Sequence, residues 1–253
     1  MDNNNNIADK INSARLLIKS NFAELEVESD QQKQLPQPPL VKEAAGGSII
    51  KLSKDFSDIV KESDYLTLVN ERKSHRVYKN EGITLKQLSF LLWTTQGIKE
   101  IKGDNYAAIR TVPSAGARHP FETYIAVLNS TDLEKGIYHY LPLDHSLEFI
   151  KSVDKLEDEV STSLNGQKFA GKSAAVFYYS AVPYRSEWRY PEEAHKLILL
   201  DAGHVVQNLY LSCQAIGFGT CAIAAYDQKL ADKLLNLDSE EEFMVYAAPV
   251  GAV

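Results

Sequence analysis

The chain has 253 residues, 44% hydrophobic and 24% charged, a composition that fills one large or two small globular cores and excludes a largely disordered polymer. A formal net charge of −7 and a pI near 5.4 exclude non-specific attraction to nucleic acid or to anionic membranes, whose fields repel such a surface. The two cysteines, Cys213 and Cys221, are too few for a disulfide framework or a cysteine-rich metal site and read as core thiols.

The opening MDNNNNIADK has no apolar signal region, and no later stretch nears the roughly 20 apolar residues that span a bilayer, so a cytoplasmic protein is expected. Ile7, Ile11, Leu17, Ile18 and Leu25 recur at helical spacing and predict an amphipathic helix over 7–26. ESDQQKQLPQPPLVKEAAGG follows, polar and then proline-bearing, an extended arm without a core of its own. Residues 1–48 therefore read as helix plus arm, and 49–253 as the compact domain.

DYLTLVNERKSHRVY predicts a helix running into a polar turn, and ITLKQLSFLLWTTQG a helix capped by Thr84 and stopped at Gly97. ETYIAVLN, GIYHYLP and SLEFI alternate as strands. DKLEDEVSTSLNG is helical by pattern, SAAVFYYSA is a buried strand, and PEEAHKLILLDAGHVVQNLYLSCQAIG is a long apolar helix with Pro191 in its first turn. FGTCAIAAYDQKLADKLLN and FMVYAAPVGA supply a glycine-bearing connection, a helix and a last strand. No internal repeat occurs. Hairpin-like neighbours between 122 and 150 exclude a purely parallel sheet and leave an α+β layered domain.

Four stretches carry candidate chemistry. In ERKSHRVY, Arg72 and Arg76 are four apart around Ser74, with Lys73 beside them; at a helix end the two guanidiniums would share a face and grip a dianion, although a solvated basic turn has the same composition. RTVPSAGARHPFETYIAV sets small and rigid residues before a strand, as a ligand-contacting edge or a simple turn would. Gly217 and Gly219 around Phe218 lie between a helix end and a strand, where backbone N–H groups suit a ring nitrogen or oxyanion and equally a helix cap. In YRSEWRYPEEAH, Arg189 and Tyr190 suit an anion clamp and a proton donor, or a surface stack on Trp188. The six histidines show no metal-ligand spacing, so no metal is expected, and His204, within an apolar helix, reads as a core histidine.

R-x-S-x-R (Arg72, Ser74, Arg76), RTVPSAGARHPFETYIAV, LLDAGHVVQNLYLSCQAIGFGTCAIAAYD and the arm, in that order, resemble the flavin-dependent nitroreductase superfamily, in its SagB/ThcOx-type dehydrogenase branch. The resemblance implies an α+β fold with a mixed, mostly antiparallel sheet flanked by helices, an intertwined homodimer, FMN as cofactor, and two active sites at the subunit interface. It gives Arg72, Ser74 and Arg76 the flavin phosphate and ribityl chain, and sets Pro113, Ser114, Ala115 and Gly116 against the ring from the partner subunit. It lays Gly217, Phe218, Gly219 and Thr220 along the flavin with a backbone donor near its N5. Two departures follow. Azoline-oxidising relatives carry Lys-Tyr where this chain has Arg189-Tyr190, and arginine is a poor base. The chain stops at PVGAV, where many classical relatives continue to another phosphate-binding cation, leaving Lys73 to compensate.

These features imply an FMN-dependent oxidoreductase moving a hydride from a donor such as NAD(P)H to a nitro, quinone or other organic acceptor. Two alternatives stand beside it. One is an azoline dehydrogenase in peptide maturation; the other is a non-catalytic flavin-binding or scaffold protein that uses its arm for assembly.

Overall fold

The computed structural model describes residues 2–20, 22 and 27–253. A helix α1 (Asp2–Ile18) precedes a core of nine strands and six more helices: β1 (Ile49–Lys51), α2 (Tyr65–Glu71), α3 (Leu85–Gln96), β2 (Ile98–Lys102), β3 (Ala107–Arg110), β4 (Phe121–Val127), β5 (Gly136–Leu141), β6 (Ser146–Lys151), α4 (Leu156–Ser163), β7 (Ala175–Ala181), α5 (Tyr184–Glu187), α6 (Ala194–Ala215), β8 (Phe218–Thr220), α7 (Gln228–Leu235) and β9 (Phe243–Ala252). Seven strands form one sheet in the order β1-β6-β5-β4-β7-β9-β8, and β2 and β3 make a separate hairpin. Every pairing between these strands is antiparallel. Among the described residues parallel pairing is confined to single-residue bridges, Ser74 with Thr220 and Ile83 with Ser130.

Alternation along β4 and β7 divides the core. Ile125, Val127, Phe177 and Tyr179 meet Leu88, Leu91 and Leu92 of α3 and Ile198, Val205 and Leu209 of α6. Tyr124, Ala126, Val176 and Tyr178 meet Val160 of α4 and Ala231, Leu234 and Leu235 of α7 on the opposite face. Because helices cover both faces, all seven residues of each of these strands are buried. The ends of α3 follow their sequence signals: Thr84 and Gln87 form a reciprocal capping box, and Gly97 closes the helix because a side chain there would run into Trp93.

Elsewhere the structure corrects the sequence reading. The first helix starts at Asp2, with Ile7, Ile11, Leu17 and Ile18 exposed; Leu25 and the other residues of 23–26 lie outside the described residues. Pro191 precedes the long helix, which begins at Ala194. The β2–β3 hairpin and α5 were not anticipated. The burial of β2 runs half-buried, exposed, exposed, half-buried, exposed, which gives no clean period of two.

Residues 29–47 are stitched to the domain by hydrogen bonds to buried polar groups. Trp188 Nε1 donates to Leu35 O at 3.1 Å, Arg185 Nε to Pro39 O at 3.0 Å, and Lys42 N to Glu122 Oε1 at 2.9 Å. Glu148 accepts from Ala45 N and Gly47 N. Glu122 also holds Arg185 Nη2 at 2.6 Å and His139 Nε2 at 2.9 Å, all three side chains being buried. Burial alone would raise the Glu122 carboxyl; the charge of Arg185 and the bond from His139 overturn that and hold it far below the usual carboxylate range.

A second buried chain of hydrogen bonds ties β5 and β6 to α3. Ser89 Oγ donates to Ser53 O and lies 2.8 Å from His145 Nε2, and Tyr140 Oη lies 2.7 Å from His145 Nδ1. Burial holds His145 down to about 4. Its folded value lies below the unfolded one near 6.5, so the stability it contributes is complete above about pH 6.5 and is lost as pH falls from there towards 4. The expected loss at pH 5 is about 2 kcal/mol from this residue. Urea unfolding at pH 7 and pH 5 checks it, and His145→Gln should flatten the dependence.

Candidate active site

The segment after α2 is extended. The helix ends at Glu71, Arg72 has φ −56° and ψ 125°, and Ser74 bridges Thr220 of β8. Arg72, Ser74 and Arg76 therefore share a side through strand-like alternation and not, as the spacing of four suggested, through a helical face. Ser74 Oγ lies 2.9 Å from Tyr210 Oη, Arg72 stacks 5.3 Å from the Tyr210 ring, and Ala222 N donates to Tyr210 Oη. On the other side of the segment His75 N donates to Thr220 O at 2.9 Å, and the His75 ring lies so close to Gly219 that a Cβ there would sit 2.5 Å from it. Gly217 takes φ +75° just past the end of α6, the left-handed turn that glycine tolerates. Lys61 Nζ would be 3.1 Å from a Cβ at that position.

The R-x-S-x-R and Gly217–Thr220 stretches are thus brought together, and Tyr210, which the sequence reading missed, joins them. Arg72 and Arg76 make no ion pair among the described residues. Thr220 Oγ1 is buried without a protein partner. Unpaired guanidiniums, an exposed hydroxyl and an orphaned buried hydroxyl fit the phosphate and polar chain of a flavin nucleotide. Lys73 is exposed and makes no ion pair in the same set.

The second group forms around Pro113–Gly116. Asp201 of α6 accepts from Ala115 N at 3.2 Å, and Ser114 Oγ accepts from His119 N at 2.9 Å. Burial raises the Asp201 carboxyl, against bonds from Ser114 and Ala115. Gly116, Ala117 and His119 all have φ between 47° and 57°; for the two non-glycine residues that backbone costs about 1–2 kcal/mol each. A Cβ at Gly116 would lie 2.7 Å from Tyr190 Oη and 3.1 Å from Arg189 Cδ, so Arg189 and Tyr190 join this loop. Arg189 Nη1 donates to Tyr106 Oη at 3.2 Å, and Phe22 meets Tyr190 edge-on with ring centroids 6.2 Å apart.

Two expectations are corrected here. Trp188 is buried and is stacked by Arg118, while Arg189 lies over Tyr190. His204 is a half-exposed side chain on the outer face of α6, not a core histidine. The two groups stay separate within one chain: Asp201 and Tyr210 are nine residues apart on α6, about 13 Å along its axis.

The Nitroreductase family model matches residues 69–252, which include every candidate site residue. The chain belongs to the nitroreductase family. That makes it a member of an oxidoreductase family on the nitroreductase-like fold, α+β with a mostly antiparallel sheet flanked by helices. A protein of Methanocaldococcus jannaschii named as a nitroreductase is 29% identical over 181 residues, 72% of this chain and 87% of that protein. The microcin B17-processing protein McbC of Escherichia coli is 28% identical over 133 residues, covering 51% of this chain and 49% of McbC. A crystal structure of a nitroreductase-like protein from Anabaena variabilis superposes with TM-score 0.72 at 24% identity, over 92% of this chain and 44% of the other. This nitroreductase-family chain thus spans about half the length of McbC and of the Anabaena protein. Among the described residues no helix is long and apolar enough to cross a membrane.

If Asp201 fixes the loop, Asp201→Ala should lower unfolding free energy by about 1–3 kcal/mol, the cost of stranding buried donors, and speed amide exchange at Ala115. Denaturant titration and hydrogen exchange read the two effects.

Proposed function

We propose that the chain is an FMN-dependent oxidoreductase whose two catalytic sites form across a homodimer. The carrying observation is that Arg72 and Ser74 are seated on Tyr210 beside Gly217–Thr220 while neither Arg72 nor Arg76 makes an ion pair among the described residues. In this reading Arg72 and Arg76 neutralise the flavin phosphate, Ser74, held in place by Tyr210, adds a donor, and Lys73 adds charge at the rim. Bound FMN would supply two-electron hydride chemistry. Gly217–Thr220 offers backbone N–H groups to the ring, and Pro113–Gly116 with Arg189 and Tyr190 covers the ring of the partner's flavin, excludes water, and leaves the Tyr190 hydroxyl to give or take a substrate proton.

The shared site is supported by the placing of the two groups, which side chains nine residues apart on α6 hold separately. The exposed apolar side chains of α2 and α6, including Leu66, Val69, Leu199 and Leu200, supply the contact surface. In this reading residues 1–48 are the helix and arm that precede the domain 49–253, and Phe22 sets its ring against Tyr190.

The donor in this reading is NAD(P)H and the acceptor an organic molecule, in a cytoplasmic enzyme. A second reading, azoline oxidation in peptide maturation, is favoured by the similarity to McbC, a microcin-processing protein. Tyr190 is retained for it, while Arg189 stands where a lysine base would be, and a guanidinium is a poor base.

The visible spectrum of purified protein, before and after anaerobic NADPH, separates the two: bleaching of flavin bands supports the first, and flavin bands that bleach only with an azoline peptide support the second. Arg72→Ala with Arg76→Ala should weaken FMN binding about 100-fold or more, two charge-assisted contacts being lost, in protein that still folds. Leu199→Glu with Leu200→Glu should give a monomer without flavin by sedimentation and absorbance; a yellow monomer overturns the shared site.

A further inference from the structure

Tyr210 is half-buried near the C-terminal end of α6. Its ring carries the Arg72 guanidinium 5.3 Å from the centroid, its hydroxyl oxygen accepts from Ala222 N at 2.9 Å, and the same oxygen lies 2.9 Å from Ser74 Oγ. Ala222 follows β8, while Ser74 bridges β8 at Thr220 from the segment that also carries Arg72. One phenol thus joins the chain on both sides of the candidate phosphate edge.

The directions of these hydrogen bonds follow from counting protons. A phenol has one proton to give and a favoured in-plane lone pair at which to accept. The Ala222 N–H fills the accepting side, so the phenol proton remains to be placed, and among the described residues Ser74 Oγ is the partner that meets it. Were Ser74 the donor, that proton would be left without a protein acceptor, at the cost of an unmade bond. A phenol is also more acidic than an aliphatic hydroxyl and the better donor of the two. Tyr210 therefore donates to Ser74.

The consequence falls on Ser74. With its oxygen accepting from Tyr210, its own proton is free, and no protein acceptor among the described residues meets it. The side chain is exposed, in an extended segment between Arg72 and Arg76. A hydroxyl fixed as a donor between two guanidiniums suits a ligand oxygen that can only accept, as the oxygens of a phosphate do.

We propose that Tyr210 is a positioning residue for phosphate recognition: its hydroxyl turns the Ser74 proton outward, and its ring seats Arg72 beside that proton. The inference rests on the reading that Arg72, Ser74 and Arg76 hold a flavin phosphate, and it adds the residue that sets the polarity of that edge. Ala222 N–H, Tyr210, Ser74 and the phosphate form one chain of donors in which each bond strengthens the next.

The test uses the full chain, with FMN removed and added back. Tyr210→Phe keeps the ring under Arg72 and deletes the hydroxyl; urea unfolding checks that it folds. FMN affinity is read from quenching of flavin fluorescence, the bound phosphate from its phosphorus resonance, and the Ala222 amide from hydrogen exchange. Ser74→Ala should weaken FMN about tenfold and Tyr210→Phe about fivefold, while the double variant should be no weaker than Ser74→Ala alone, because Tyr210 acts through Ser74. Both single changes should move the bound phosphorus resonance in the same direction, and Tyr210→Phe alone should speed exchange at Ala222.

A hydroxyl that merely props up the chain after β8 would give losses of affinity that add to those of Ser74→Ala and would leave the phosphorus resonance in place. That result overturns the proposal, as does an FMN affinity in Tyr210→Phe within twofold of the unmodified chain. Ser74→Ala, at an exposed position, bears on the proposal by itself: unchanged affinity and an unmoved phosphorus resonance there also overturn it. Failure of the unmodified chain to take up FMN overturns the flavin reading as well, whereas uptake indifferent to Tyr210→Phe overturns the role of Tyr210 alone.

Discussion

Helix α6, 22 residues long, is the element on which both candidate groups depend. Its inner face is bolted to the sheet through Ile198, Val205 and Leu209 and to α3 through Asn208, whose amide donates to Thr94 O. Once that packing is set, Asp201 near one end and Tyr210 near the other are held at a constant separation, and each fixes a backbone: Asp201 the Ala115 amide, Tyr210 the Ser74 hydroxyl and the Ala222 amide. Both candidate groups are therefore built by side chains reaching out from one rod to the loops beside it.

The polar interior does for the N-terminal segment what α6 does for the loops. Residues 29–47 contribute almost no apolar burial, with only Val41 reaching the core, and are held instead by carbonyl and amide bonds to Arg185, Arg110, Glu122 and Glu148. Such bonds are individually modest, about 1–3 kcal/mol when one partner is charged, but they are mutually dependent. Glu122 serves Arg185, His139 and Lys42 at once, so the segment and the centre of the sheet share one charge balance.

How much was legible in the sequence depended on whether one cause dominated each position. Helix α3 was readable because Thr84, Gln87 and Gly97 are local signals for local events. The strands β4 and β7 were readable because both faces are apolar. The R-x-S-x-R stretch was misread in conformation although its composition was noticed: residues four apart are neighbours on a helix and also lie on one side of an extended chain, and the choice is made by β8, distant in sequence. His204 was misassigned to a core because it sits in an apolar helix, yet that helix also leaves Leu199 and Leu200 exposed. Asp201 and Tyr210 were passed over because within that helix nothing in the residue pattern marks the two positions that face outward to a loop. Arg110 was quoted only as the first letter of a motif, and its role in joining Gln96 of α3 to Leu40 of the arm is set by residues distant in sequence.

The order of the sheet has a consequence for biogenesis. Strand β7, buried along its whole length, lies between β4, which precedes it, and β9, which starts at residue 243, 62 positions after β7 ends at 181. As the chain leaves the ribosome, β4 can pair with β7 early, but the other edge of β7 stays open until β9 emerges, and over that interval it presents the apolar, fully hydrogen-bonding strand edge that invites association with other nascent chains. The helices made in that interval are α5, α6 and α7, of which α6 covers one face of β7 and α7 the other. Vectorial synthesis thus delivers cover for both faces before the final pairing strand, shielding the sheet during the time its middle is unclosed.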